Sequence, residues 1–167
     1  MERIEAHRPA GIGVILRTRL DLEPEDPLRA LALRALSAVE GIASKDQMVR
    51  HARSEVLALR EAALLGLVRM RAAEGMAGIE EMARSERADH RAASARLLRL
   101  VGTRNETALV KTLIEDEDVE VSRLALFAAG QLKDPELLPL LIQRVGRRGV
   151  LGAARTALAL AGEMALP

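Results

Sequence analysis

Residues 118 to 145 read DVEVSRLALFAAGQLKDPELLPLLIQRV. Val121, Ala125, Ala129 and Leu132 are apolar or small and stand three or four residues apart, the spacing of one face of a helix. The pattern breaks at KDPE and resumes with Leu140, Leu141 and Val145. This stretch predicts a helix, a tight turn and a second helix. The turn carries its own signal, because Asp134 can cap a helix whose first residue is Pro135.

The same pattern recurs along the chain. Stepping back 31 residues from Ser122, Ala125, Ala129 and Leu132 reaches Arg91, Ser94, Leu98 and Val101. A second step reaches Arg60, Ala63, Leu67 and Met70, and a third Arg29, Ala32, Leu36 and Val39. Going forward, Val150, Ala154, Leu158 and Ala161 repeat the spacing of Val121, Ala125, Ala129 and Leu132 after a step of 29, a slip of two in the GRRG turn. The second helices follow suit. Leu140, Leu141 and Val145 step back to Leu109, Val110 and Ile114, then to Gly78, Ile79 and Ala83, and less well to KDQMVRHA. Asp26-Pro27 repeats the Asp-Pro helix start. Thr103 with Glu106, and Ser44 with Gln47, have the spacing of a capping box.

Two helices every 31 residues, with small residues along the first helix and an Asp-Pro turn, resemble the HEAT and armadillo-like superfamily, above all the short bacterial HEAT-like repeats. The resemblance covers about residues 27 to 167. It implies an all-α fold: a right-handed α-α superhelix of about four helix pairs plus a partial fifth. The expected units are 27–57, 58–88, 89–119, 120–148 and a partial 149–167. Residues 1–26 are expected to hold a capping helix or partial repeat, GIGVILRTRL, and a turn, DLEPED. One pair cannot cover its own apolar faces, so neighbours must stack to close a continuous core. In such units ALP opens a second helix, and the chain stops at AGEMALP. The expectation is therefore a fragment of a longer protein, or an open last unit used for self-association.

Composition sharpens this picture. Phe127 is the sole aromatic residue, and Ala, Leu, Arg and Glu dominate, which favours helix over sheet. Cysteine is absent, so disulfides and thiolate chemistry are excluded. No apolar run approaches the roughly 20 residues needed to span a bilayer, and a cytoplasmic setting is expected. His7, His51 and His90 are scattered and form no ligand motif, so no metal or other cofactor is expected. The carboxylates at Glu80-Glu81, at Asp116-Glu117-Asp118 and around Glu23 fit capping and solvation better than acid–base catalysis. No catalytic constellation emerges, and an enzyme is not expected.

The function expected from the resemblance is a non-catalytic scaffold for a protein partner or an adjacent domain of the same chain. Second helices line the inner face of such stacks. The candidate binding surface is accordingly Arg50, Glu80, Arg84, Lys111, Gln143 and Arg144. One alternative is a regulatory segment of a multidomain protein, including transporter-like ones. Another is a nucleic-acid binder, to which Arg53, Arg147 and Arg148 would add. A net charge of +1 and the lack of aromatics for base stacking weigh against nucleic acid.

Overall fold

The computed structural model describes residues 11–162. They form α-helices joined by short turns, with no strand among them. In order these are α1 (Ile12–Leu22), α2 (Asp26–Glu40), α3 (Lys45–His51), α4 (Leu57–Arg69), α5 (Ala73–Ala83), α6 (Ala88–Val101), α7 (Thr107–Ile114), α8 (Val119–Leu132), α9 (Leu138–Val145) and α10 (Leu151–Ala161). Single 3-10 turns, Gly41–Ser44, Arg104–Glu106 and Pro135–Leu137, lead into α3, α7 and α9. None of the helices is long and apolar enough to cross a membrane.

The period is visible in the helix starts. Helices α2, α4, α6 and α8 begin at residues 26, 57, 88 and 119, each 31 after the last. Burial keeps the same step. Ala32, Ala63, Ser94 and Ala125 are all buried, as are Leu33, Leu64, Ala95 and Leu126, and Leu36, Leu67, Leu98 and Ala129. The next helix departs from the expected slip. α10 begins at residue 151, 32 after α8, and its buried Ala153, Ala154, Ala157 and Ala161 lie 32 after the buried Val121, Ser122, Ala125 and Ala129. Alanine is so frequent in α10 that a second register fits its sequence almost as well.

The chain divides into two compact units, Met1–Met76 and Ala77–Pro167. In the first, α2 packs against α1 and α4, and α3 against α4. Leu20, Leu33, Leu36, Met48, Leu59, Leu64 and Leu67 make its core. Gly66 sits at the crowded point of that core, where an added Cβ would lie 3.0 Å from the Met48 sulfur and 3.0 Å from the Ser37 Cβ. In the second unit α6 packs on α8 and α8 on α10, while α7 and α9 pack against α8 and α10. Gly130 allows the close approach of α8 to α10, since a Cβ there would meet the Ala157 backbone at 2.9 Å. Buried serines find their partners in carbonyls of the neighbouring helices. Ser94 Oγ donates to Ile79 O at 2.9 Å and Ser122 Oγ to Ile114 O at 2.7 Å.

Several expected caps form and others do not. Thr103 and Glu106 make the full capping box. Asp134 accepts from the Glu136 amide, behind Lys133 in the left-handed conformation, so KDPE is the turn that its residues suggest. Asp118 caps α8 through the amides of Glu120 and Val121. By contrast Asp26 is the first residue of α2 and makes no cap; its carboxylate pairs with Arg29 at 3.1 Å. Ser44 donates to Gly41 O instead of capping, and Gln47 accepts from Arg17. A long-range or local partner has taken the side chain in each case. The segment GIGVILRTRL is helical from Ile12 on, and Glu23–Glu25 form the turn after it. Most of the closing AGEMALP, and His7, lie outside the described residues.

Candidate interaction surface

The six surface candidates fall on α3, α5, α7 and α9. Arg50 is exposed on α3, in the first unit. The other five belong to the second unit. On and just after α5, Glu80 and Arg84 are one turn apart, on one side of the helix, and bridge at 3.2 Å. They form one wall of an open groove of about 400 Å3, whose other residues are Ala83, Asn105, Glu106, Ala108, Leu109 and Thr112. The capping box positions that second wall. Thr103 accepts from the Asn105 amide, and Glu106 takes the Thr103 amide at 2.6 Å, so the start of α7 is held in a fixed turn. Glu106 is thereby engaged, and Asn105 stands exposed at the mouth.

Lys111, on α7, reaches across to Glu136 at the start of α9, with 2.9 Å between Nζ and Oε2. Thr107 beside it hydrogen-bonds the Asp134 carboxylate, tying the same two elements together. That hydroxyl, with the Glu136 amide, holds Asp134 below its ordinary pKa. Gln143 is exposed on α9. Arg144 is the exception. Its side chain is only 14% exposed, its terminal nitrogen is 4.0 Å from Glu115, and its Nε is buried without a hydrogen-bond partner. Arg144 is therefore largely covered and adds little to the open surface. The structure thus brings Glu80 and Arg84 into one groove, links Lys111 to α9, and covers most of Arg144.

Sequence reasoning did not find the opposite wall of the groove. Asn105, Ala108 and Thr112 carry no motif, although Ala108 and Thr112 share a helix face by their spacing of four. It read the acidic turn before α8 as capping and solvation, and did not find its arginine partner. There Arg91 grips Asp116 with a two-pronged bond, Nε donating at 2.7 Å and Nη2 at 3.0 Å. Arg91 also donates to the carbonyls of Ser85 and Glu86. Burial pushes the Asp116 carboxyl up, but the bonds from Arg91 and the Asp118 amide, with the Arg91 charge, outweigh it and leave its pKa lowered. This cluster fastens two turns together.

Among the described residues no three His, Cys, Asp or Glu side chains stand close enough to hold a metal ion. His51 is held below its ordinary pKa by burial first, then by the charges of Arg29 and Arg50, against a smaller pull from Asp21. His90 lies 3.4 Å from the Ser85 hydroxyl, and the neighbouring Asp89 is engaged by the His90 backbone amide and by Arg87. No family model matches this chain, and no curated protein matches it at a significant level.

Proposed function

We propose that the helix pairs form a right-handed HEAT-like solenoid, about four pairs and a partial fifth, that acts as a non-catalytic scaffold for a protein partner or a neighbouring domain. The observation that carries this reading is the groove between Glu80–Arg84 and Asn105–Thr112. It is shallow, lined by ion-paired and small residues, and framed by a turn fixed through its capping box. Such a surface offers many modest contacts over a rigid backbone, and no strongly activated group. A volume of about 400 Å3 is at the small end for a drug-sized ligand. Its open form suits a segment of polypeptide laid along it.

The supporting architecture is the step of 31 in four helix starts, with the buried positions in register. Stacked units place second helices side by side, so a partner meets several of them at once. The test is quantitative capture from a lysate of the source cells, comparing the wild type with the triple variant Glu80→Lys, Arg84→Glu, Lys111→Glu. A partner that the wild type enriches and the folded triple variant loses supports the reading. A partner retained equally by both overturns it.

A further inference from the structure

The chain's sole aromatic side chain is half-exposed on α8, outside the groove and its lining. Two guanidinium groups lie over the Phe127 ring: Arg99 of α6 at 5.5 Å from its centroid, and Arg123 of α8 at 5.7 Å. The two arginines differ in what else they do. Arg123 is spent on Glu120, which it grips at 2.7 and 2.6 Å. Arg99 is exposed and, among the described residues, has neither an ion pair nor a hydrogen bond.

A guanidinium attracted to a ring face keeps its N–H donors, which lie in its own plane and match a carboxylate's two oxygens. The ring restricts where Arg99 can go, so less freedom is lost when a carboxylate binds. Leu100, the next residue, is 64% exposed and adds apolar surface. Charge leans the same way, because Glu120 is gripped by Arg123, while Arg99 over the ring has no acidic partner among the described residues. We infer that Arg99, set on Phe127, is the anchor of a second docking site, which takes an acidic polypeptide segment carrying aliphatic residues. One free guanidinium and one aromatic ring suit a carboxylate with an apolar neighbour. A nucleic-acid strand would require a basic track that neutralises several phosphates and a series of stacking platforms.

The experiment uses the full chain and three labelled probes in fluorescence anisotropy at low salt. These are a peptide alternating Glu-Glu-Leu, its Gln-Gln-Leu counterpart, and a single-stranded DNA 12-mer. Saturable binding of the acidic peptide alone is expected. Arg99→Gln is expected to weaken it about tenfold, the loss of one charge-assisted fork. Phe127→Leu, which keeps the site apolar, is expected to weaken it several-fold by freeing Arg99. Circular dichroism establishes that both variants are folded. Arg99→Lys keeps the charge without the fork and is expected to fall between wild type and Arg99→Gln. The proposal is overturned if no acidic peptide binds, if Arg99→Gln binds like the wild type, or if the DNA binds more tightly than the peptide. The groove variant Glu80→Lys, Arg84→Glu, Lys111→Glu should leave this binding unchanged, so failure here and failure of the scaffold reading are separable.

Discussion

The two compact units share a register but are fastened differently. Leu36 and Leu67 in the first and Leu98 in the second occupy the same place in the 31-residue step, and all are fully buried. Yet in the first unit none of α1 to α4 has a side-chain cap, whereas the second has the Thr103–Glu106 box and the caps at Asp118 and Asp134. The arginine at the equivalent place tells the same story. Arg29 makes a single 3.1 Å bridge to a largely exposed Asp26. Arg91 holds Asp116 at two points, with the two side chains only 14 and 8% exposed. A common apolar pattern therefore sets where helices lie, and polar side chains decide how firmly their ends are held.

The comparison can be broken at its shared part first. Leu67→Ala and Leu98→Ala are each expected to cost about 2–5 kcal/mol, the usual range for emptying a buried leucine site. Urea unfolding would measure both, and a marked inequality would show that the register is not equivalent. Next comes the fastening. Asp116→Asn leaves a mostly buried guanidinium without its charge partner and is expected to cost about 1.5–3 kcal/mol. Asp26→Asn, on the exposed pair, should stay within about 0.5 kcal/mol.

The pH dependence has a definite sign. The Asp116 pKa lies below its ordinary 3.8 in the fold. Its contribution is therefore complete above the unfolded value and disappears as pH falls through the lower folded one. Thermal melts between pH 6 and pH 2 should show the wild type losing its advantage over Asp116→Asn only below about pH 4.

Glycine positions sharpen the contrast further. Gly130→Ala drives a methyl into the Ala157 backbone and is expected to cost about 1–3 kcal/mol. Gly66→Ala meets the flexible Met48 thioether and the Ser37 Cβ, both at 3.0 Å, a milder overlap relieved by a shift of a few tenths of an ångström. Its cost should be smaller, because alanine also returns up to about 1 kcal/mol of helix propensity. The smallest expected effect is at the caps. Asp118→Ala should lose about 1 kcal/mol of stability by thermal unfolding, while Glu25→Ala, at an N-cap without a side-chain bond, should lose almost none.

The all-helical fold and the helix starts were legible because both rest on local spacing. The Thr103 and Asp134 caps were legible for the same reason. Asp26 and Ser44 misled because each has a competing partner three residues away, Arg29 and the Gly41 carbonyl, and spacing alone does not say which bond wins. Gln47 was diverted by Arg17, 30 residues away. In the candidate surface, Glu80 with Arg84 was readable as a spacing of four, but Asn105 and Thr112 join them only through packing of α5 near α7. Arg144 pairs with Glu115, 29 residues before it, and the Phe127 site depends on Arg99, 28 before. Contacts between successive helix pairs were invisible to a reading made one helix face at a time.

The most direct test of the scaffold reading is hydrogen exchange of the full chain, alone and saturated with the partner recovered by the capture experiment. The account predicts new protection in residues 78–84 and 104–112, the two walls of the groove, with smaller changes in α8. Protection confined to other segments, with both groove walls exchanging as in the free protein, would contradict it.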